Sequence, residues 1–256
     1  MTNFDREVSE RISTYSNNTE LRTVADDFME ISANAKYSYN FRWLGRPIIQ
    51  YPQDIVAVQE IIWRTRPDLI IETGIARGGS LILSASMLAM LDMCDAIESG
   101  SEFDPRFSFR RVLGVDIDIR IHNRKAIEGH PMNSRIQMIE GSSIATNVID
   151  QVKEIASKYK SVLVFLDSNH THEHVFAELT AYAPLVNVGS YCIVYDTAIE
   201  DMPAKMFADR PWGPGNSPKT AVWEYLKEHT EFEIDKNIQD NLLITVVPDG
   251  YLKRRR

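Results

Sequence analysis

Five short apolar stretches, each followed by a segment with helical spacing, constrain the fold more than any other feature of the chain. The predicted strands cover residues 68–72, 111–116, 135–140, 161–167 and 190–196. The predicted helices between them include 80–91, 144–157 and 173–182. Strands that are apolar throughout and alternate with amphipathic helices are typical of a parallel sheet with helices on both faces.

The two ends of the chain depart from this alternation. Residues 1–51 combine an amphipathic helical extension with the start of an aromatic, turn-rich segment, YSYNFRWLGRPIIQYPQD. Near the C-terminus, FEIDKNI and NLLITVVP predict two strands joined as an antiparallel hairpin. We therefore expect an α/β fold: a doubly wound, mostly parallel, Rossmann-like sheet that ends in an antiparallel strand pair. The N-terminal extension would cover 1–51 and the main domain 52–256.

Composition argues against several classes of protein. The net charge of −8 leaves no basic face for a nucleic acid. The basic run KRRR at 253–256 predicts a solvated tail, no apolar run approaches a membrane span, and the N-terminus lacks a signal-peptide pattern. The two cysteines, Cys94 and Cys192, lie in apolar stretches and predict buried, reduced thiols. We expect a cytoplasmic protein with no nucleic-acid partner and no stable membrane insertion.

The turn after the first predicted strand, IETGIARGGS, has the composition of a ligand-binding loop. In open parallel sheets, ligands bind at the carboxyl ends of the strands. Gly74, Gly78 and Gly79 would let the backbone turn tightly and approach a ligand, and Ser80 is a suitable helix N-cap. The spacing G-x-x-x-G-G matches neither the dinucleotide fingerprint nor the Walker A loop.

Acids beside this loop indicate the kind of ligand. Glu72 precedes the first glycine, where a carboxylate suits a cationic ligand better than a pyrophosphate. Asp116 ends the second strand, in a position that suits hydrogen bonds to ribose hydroxyls, and Asp118 is expected to cap a helix. Together these features favour an S-adenosylmethionine (SAM) pocket over an NAD pocket. Ser142 and Ser143, after the third strand, could contact the adenine or cap the following helix.

Six stretches in combination resemble the cephalosporin hydroxylase family. They are WLGRPIIQYPQDIVAVQEII, IIETGIARGGS, VLGVDID, LDSNHTHEHV, RPWGPGNSPKTAV and ITVVPDGYLKR. Despite its name, this family resembles class I SAM-dependent methyltransferases in fold. It includes enzymes of cephamycin methoxylation and is related to macrolide-sugar and rhamnosyl O-methyltransferases. The resemblance runs from about residue 37 to the C-terminus.

This resemblance implies a reaction and a set of site residues. Asp167 and Asp196, after the fourth and fifth strands, would hold Mg²⁺, and Asp167 would also border the cofactor. His170 would serve as the general base. Members of the family can carry a second acid directly before the later aspartate, where this chain has Tyr195. The implied function is a Mg²⁺-dependent O-methyltransferase that methylates a hydroxyl of a sugar or small polar metabolite, in surface glycan or natural product biosynthesis.

The segment LDSNHTHEH, at 166–174, contains three of the six histidines and invites other metal chemistries. A zinc hydrolase would need H-E-x-x-H, but here the glutamate is misplaced between His170 and His174. An iron oxygenase would need two histidines and one carboxylate. In its 2-oxoglutarate form it usually has a jelly-roll scaffold, which the strand–helix alternation contradicts. We expect His172 and His174 to lie on the next helix, away from the cleft.

Several alternatives remain open from sequence. A hydroxylase, or a helper subunit of a two-protein oxygenation and methoxylation system, is one other function, and a non-catalytic binding subunit is a second. The segment around Tyr39, Phe41 and Trp43 and the loop around Trp212 could wall an acceptor pocket, or could pack or form a subunit interface. The long 200–220 loop is expected to be functional. Because the N-terminal extension has no clear role in the sheet, we expect a homo-oligomer that uses it.

Overall fold

In the computed structural model, which describes residues 2–256, nine strands and nine α-helices are joined by short 3₁₀ turns. The strands are β1 Phe41–Trp43, β2 Arg46–Ile48, β3 Leu69–Thr73, β4 Arg111–Asp116, β5 Ile136–Glu140, β6 Val162–Leu166, β7 Tyr191–Val194, β8 Phe232–Ile234 and β9 Tyr251–Arg254. The α-helices are α1 Asn3–Tyr15, α2 Thr19–Asn34, α3 Pro52–Thr65, α4 Gly79–Ser99, α5 Ile121–Glu128, α6 Thr146–Ala156, α7 His172–Tyr182, α8 Pro218–Tyr225 and α9 Lys236–Leu242.

Seven of the strands form one sheet in the order β5-β4-β3-β6-β7-β9-β8. The first five in this order run parallel, and β9 pairs antiparallel with both β7 and β8. The predicted doubly wound sheet with an antiparallel end is confirmed. The chain moves outward from β3 to β5 and then returns to β6 on the other side of β3. The strand order therefore reverses between β3 and β6, which is where such sheets bind ligands.

Apolar layers cover both faces of the sheet. Every residue of β3, β6 and β7 is buried, as expected for strands with helices on both sides. One layer includes Ile61 of α3 and Leu83 of α4, and the other includes Val152 of α6 and Leu179 of α7. The five strands predicted from sequence all form. The apolar runs of β3, β6 and β7 reflect this two-sided burial, whereas β5, at the edge of the sheet, has no fully buried residue. Cys192 is buried as predicted, whereas Cys94 is only partly buried, and both are free thiols.

The longest helix, α4, begins one residue before its predicted start and continues to Ser99. A window of this helix has a mean hydropathy of 1.6, so by length and composition alone it could cross a membrane. The expectation that no run approaches a membrane span is therefore wrong. In the fold, 56% of that window is buried, and Leu83, Leu88 and Leu91 lie in the apolar core. Burial of α4 against the sheet accounts for its composition.

The C-terminal segment 241–248, predicted as a strand, forms the end of α9 and a loop. Its polar groups bond to the buried carboxylate of Asp54 instead of to a strand. This carboxylate accepts three hydrogen bonds. The donors are Thr245 Oγ1, the Val246 amide at 3.1 Å and the Tyr251 hydroxyl at 2.9 Å. The segment is apolar because it packs into the core, so the second strand of the antiparallel pair is β9.

The basic C-terminus is not the solvated tail expected from sequence. Lys253 and Arg254 belong to β9. The Arg254 guanidinium donates to the carbonyl oxygens of Pro184, at 2.9 Å, and Val186, at 2.6 Å. The first half of the run therefore belongs to a strand inside the sheet, between β7 and β8, whereas Arg255 and Arg256 are exposed.

The N-terminal extension packs on the main domain through α2. Met29 forms an apolar cluster with Tyr51 and Ala198, and the Ser32 and Tyr51 hydroxyls lie 2.7 Å apart. Arg22 pairs with Asp240 at 3.2 Å. Helix α1, in contrast, buries no residue. The extension thus has a role within the chain that the sequence did not indicate, and the division at residue 51 stays a prediction.

Candidate functional site

A cavity of about 640 Å³ opens at the carboxyl ends of β3, β6 and β7. The glycine loop after β3 and the segments after β6 and β7 form its base. Its wall comes from the end of α2, from residues 36–51 and from residues 198–212. A second cavity of about 100 Å³ adjoins it, and Gly74 and Ser168 line both. The predicted site edge and the two cavities therefore coincide.

The glycine loop lies so close to its neighbours that side chains do not fit. Gly74 has a φ of +90°, and a Cβ built there would lie 2.0 Å from the carbonyl oxygen of Asp167. A Cβ on Gly79 would lie 2.2 Å from the carbonyl oxygen of Pro47. Gly78, at a φ of +79°, is the N-cap of α4. The prediction that Ser80 caps this helix is therefore wrong.

Ser80 instead holds the buried acid at the end of β3. Its hydroxyl donates to Glu72 Oε1, while Glu72 Oε2 has no hydrogen-bond partner among residues 2–256. The pKa of Glu72 is raised to about 8, chiefly by burial; the Ser80 hydrogen bond opposes the shift, and the nearby Asp116 adds to it. An unpartnered, buried carboxylate oxygen beside the loop is a position where a cationic group would be stabilised.

Asp116 supports the loop through its carboxylate. Its Oδ2 accepts from the amides of Ile75, at 2.8 Å, and Ala76, at 3.1 Å. It also lines the smaller cavity, so it lies where the sequence predicts contact with a ligand. Asp118 does not cap a helix, because α5 begins after Arg120 without a side-chain cap, and the Asp118 side chain is 71% exposed.

The smaller cavity brings together residues that sequence reasoning separated. Ser142 and Ser143 line it, and neither caps α6, which begins after Ala145 without a side-chain cap. His174 also lines it, with Nε2 at 3.0 Å from Ser143 Oγ and 3.2 Å from Ser168 Oγ. The expectation that His174 lies away from the cleft is therefore wrong.

A buried acid below this cavity was missed from sequence. Glu178 is fully buried one helical turn after His174, and its Oε1 lies 3.6 Å from His174 Nε2. Ser168 Oγ donates to Glu178 Oε1 at 2.6 Å. The i, i+4 spacing on α7 was the one available signal, since residues so spaced share a helix face.

Asp167, His170 and Asp196 converge on the base of the larger cavity. One ligand atom from each lies within 4.8 Å of the others, and within residues 2–256 no other group of three such side chains does so. His170 Nε2 lies 3.3 Å from Asp196 Oδ2. Asp196 adopts a left-handed φ of 56°, a conformation that aspartate tolerates better than most residues. The three residues predicted for metal and base chemistry are thus brought together.

The electrostatics of this cluster favour a bound cation. Burial raises the pKa of Asp167 well above its usual range, and Asp196, Glu72 and Glu178 add to the effect in that order. Two carboxylates this close repel each other when both are charged. A divalent cation between them would remove that cost, and carboxylate oxygens suit a hard ion such as Mg²⁺.

His172, in contrast, serves the surrounding structure. Its Nδ1 lies 2.8 Å from Thr220 Oγ1, and its Nε2 lies 3.2 Å from Glu224. His170 instead contacts Trp212, with ring centroids 4.9 Å apart at 85°. The three histidines of one short segment therefore point to three different places, with one at the metal-ligand cluster.

The sequence did not decide whether four aromatic residues line the acceptor pocket or pack elsewhere, and the structure shows two of each. Tyr39 and Trp212 line the larger cavity. Phe41 and Trp43 pack against the core, where Trp43 Nε1 donates to Ser86 Oγ at 2.9 Å. The 200–220 loop is fixed by Glu200, whose carboxylate accepts from the Gly215 amide at 2.9 Å. It borders the cavity, in agreement with a functional loop.

Two buried polar groups of the larger cavity had no sequence signal. Gln50 and Tyr195 are 5% and 3% exposed, and both line the cavity. Neither Gln50 Oε1 nor the Tyr195 hydroxyl makes a hydrogen bond of good geometry among residues 2–256. Burial has the largest effect and raises the pKa of Tyr195, although the Gln50 side chain is close enough to oppose that shift, so a neutral hydroxyl stands where the family resemblance allows a second acid.

Comparison with known proteins identifies the family. The sequence model described as "Rhamnosyl O-methyltransferase/CmcI" matches residues 35–255. The chain belongs to this family. Among relatives, the Rhamnosyl O-methyltransferase of Mycobacterium leprae is 26% identical over 215 residues, covering 83% of this chain and 82% of the relative. That of Mycobacterium tuberculosis is 27% identical over 204 residues, covering 78% and 73%.

Solved structures show the same fold. CmcI with Mg and SAM superposes with a TM-score of 0.55 at 17% identity, covering 85% of this chain and 78% of that chain. CmcI with S-adenosylhomocysteine (SAH) gives 0.54 at 18% identity, covering 84% and 83%. The predicted family, the Rossmann-like fold and the class of SAM-dependent O-methyltransferase are confirmed. Membership in the Rhamnosyl O-methyltransferase/CmcI family leaves the acceptor and the metal requirement as the questions to address.

Proposed function

We propose that this family member transfers the methyl group of SAM to a hydroxyl of a sugar or glycoside in a Mg²⁺-dependent reaction. The observation that carries the proposal is the convergence of Asp167, His170 and Asp196 in the cavity bordered by the glycine loop. The name of the mycobacterial relatives, Rhamnosyl O-methyltransferase, supports a sugar acceptor. Such a product would belong to surface glycan or natural product biosynthesis.

The residues around the loop fit the cofactor. SAM supplies an electrophilic methyl on a sulfonium, together with a cationic amino group. Glu72 is buried beside the loop and lines neither cavity; its unpartnered Oε2 would attract that cation from behind the loop, and Gly74 leaves room for the backbone to approach the ligand. Asp116 would meet the ribose. Ser142 and Ser143, with His174 beside them, would enclose the adenine in the smaller cavity.

The residues after β6 and β7 fit the metal. Asp167 and Asp196 would hold Mg²⁺, with remaining positions left to water or the acceptor, since Tyr195 offers no carboxylate. Bound there, the ion would polarise the acceptor hydroxyl. His170 would take the hydroxyl proton, and its contacts with Asp196 at 3.3 Å and with Trp212 hold the ring toward the cavity. The protein otherwise has to align the hydroxyl with the methyl group.

The hydroxylase alternative has less support from the site. An oxygenase iron would need two histidines and one carboxylate, whereas this cluster has one histidine and two carboxylates. His172 and His174 bond to Thr220 and Ser143 and do not complete such a set.

A methyl-transfer screen tests the proposal. Radiolabelled SAM would be offered with rhamnosyl, other glycosyl and nucleotide-sugar acceptors, with added Mg²⁺ or with EDTA. We expect a methylated sugar product that requires Mg²⁺ and that His170→Ala strongly reduces. Oxygen consumption with iron, and no methyl transfer to any sugar, would overturn the proposal in favour of the hydroxylase.

We also propose a cytoplasmic homo-oligomer that uses the N-terminal helices. Phe4, Val24 and Ile31 are between 60% and 70% exposed on α1 and α2, which supports an apolar contact there. Sedimentation of the full chain checks this, and a monomer at micromolar concentration would exclude it.

A further inference from the structure

Three cations line the larger cavity without acidic partners. Lys36, Arg77 and Arg210, defined here as the cationic rim, all contribute to its wall and are all exposed. Within residues 2–256, none of them has a carboxylate oxygen within 4.0 Å, although the chain forms many ion pairs elsewhere. The only acids in the wall are Asp167 and Asp196.

This charge pattern is the reverse of that of the whole protein. The chain carries 28 Lys and Arg against 36 Asp and Glu, whereas the cavity wall carries three against two. On the proposed function, both wall acids hold Mg²⁺, and the carboxylate of SAM can balance one cation of the rim, for which Arg77 of the glycine loop is the candidate. Lys36 and Arg210 are then left facing the cavity without a balancing negative charge. Unbalanced cations in a partly closed cleft attract anions, because the low-dielectric walls strengthen the field.

Two of the three cations come from the cavity wall outside the glycine loop. The Arg210 guanidinium lies over the Trp212 ring, 5.5 Å from its centroid, and Trp212 contacts His170. Lys36 adopts a left-handed φ of 55° at the end of α2, where its amide bonds to the Ala33 carbonyl. Arg77, in contrast, belongs to the glycine loop on the cofactor side.

We propose that the acceptor sugar carries a negatively charged group and that Lys36 and Arg210 bind that group. This inference rests on the proposed function and specifies its substrate class: a sugar phosphate, a nucleoside diphosphate sugar or a sugar acid, as opposed to a neutral glycoside. The buried side chains of Gln50 and Tyr195, which lie near each other in the cavity wall without a hydrogen bond of good geometry, would then meet the uncharged hydroxyls of the same sugar.

Binding measurements test this without any need for turnover. Calorimetry with the full chain, SAH and Mg²⁺ would compare dTDP-rhamnose, rhamnose 1-phosphate and a methyl galacturonoside with neutral methyl rhamnoside. We expect the best anionic ligand to bind at least about tenfold more tightly than methyl rhamnoside, as charge-assisted contacts are the stronger ones. Its affinity should fall as salt rises, because exposed charges are screened. Because two of the anionic ligands carry phosphate and the methyl galacturonoside carries a carboxylate, their relative affinities show which charged group the protein prefers.

Variants then assign the effect to the rim. Lys36→Asn suits the left-handed backbone, and Arg210→Gln removes the second charge. The double variant should lose about tenfold or more in affinity for the anionic ligand and keep SAH affinity. Lys205→Gln is the matched control, because Lys205 is an exposed cation of the same loop that pairs with Glu30 and does not line the cavity. It should change nothing.

Two results would overturn the inference: methyl rhamnoside binding as tightly as every anionic ligand, or a double variant with unchanged affinity for the anions. Either can occur in a protein that methylates sugars, so the proposed function would survive. Conversely, absence of methyl transfer to all acceptors would refute the proposed function, while the calorimetric comparison would still decide between anionic and neutral ligands.

Discussion

Gly74→Ala probes the contact between the glycine loop and the metal-binding acid. A Cβ at residue 74 would lie 2.0 Å from the carbonyl oxygen and 2.6 Å from the carbonyl carbon of Asp167. Both are backbone atoms, so neither can rotate away. Gly189 offers a matched control, because its φ of +86° is close to the +90° of Gly74 while its Cβ would meet nothing within 4 Å.

Both substitutions place alanine at a left-handed φ, but only Gly74→Ala also brings a steric clash. Placing alanine in the left-handed region destabilises the folded state by about 1–2 kcal/mol. Alanine also lowers the conformational entropy of the unfolded chain, which offsets about 0.4–1 kcal/mol of that cost. Gly189→Ala should therefore lower the free energy of unfolding by about 1 kcal/mol. Gly74→Ala adds an overpacking cost of about 1–3 kcal/mol, for a total of about 2–4 kcal/mol.

The assay is urea unfolding of both variants, followed by titration with SAH and with Mg²⁺. Gly74→Ala should also weaken both ligands, since the clash displaces the backbone of Asp167, whereas Gly189→Ala should bind them normally. Equal stability losses, with ligand binding intact in both variants, would refute the close approach of loop and acid.

Three further predictions concern single side chains. The pKa of Glu72 is about 8 in the folded protein against 4.5 in the unfolded chain, so the ligand-free protein should lose stability as pH rises between those values. Glu72→Gln should remove that loss, which urea unfolding across pH would show. The same variant should bind SAH more weakly in calorimetry. His170→Ala should lower kcat about 10²–10⁴-fold with SAH affinity kept, and a matching loss of SAH affinity would contradict its role as base. His174→Ala should weaken SAH about tenfold, whereas His172→Ala should not; equal affinities would count against the adenine assignment.

The features that the sequence predicts are those that depend on residues near one another in the chain. The apolar runs of β3 to β7 and the tight turn at the glycines after β3 depend on residues close in sequence, and the structure contains both. Ligand binding by the glycine loop stays a prediction. Asp167 and Asp196 were placed by resemblance to a family, and their meeting follows from parallel strands whose carboxyl ends share one edge.

The features that sequence could not predict depend on distant partners. Segment 241–248 has the composition of a strand, but the buried carboxylate of Asp54 bonds its backbone and side chains instead. His174 turns inward because Ser143 and Ser168 lie opposite it. Lys36 reaches the cavity only because α2 packs on the main domain, and the hydrophobic spacing of α2 does not show where that helix packs.

The dependence of methyl transfer on Mg²⁺ tests the central claim most directly. Protein stripped with EDTA would be titrated with Mg²⁺ while transfer from SAM to the sugar acceptor is followed. The rate should be near zero without the ion and should saturate as it is added. Asp167→Asn and Asp196→Asn should need about 10–100-fold more Mg²⁺ or fail to respond, because each loses a charged oxygen ligand. Transfer at the full rate in EDTA, unchanged in both variants, would contradict a metal site at Asp167 and Asp196.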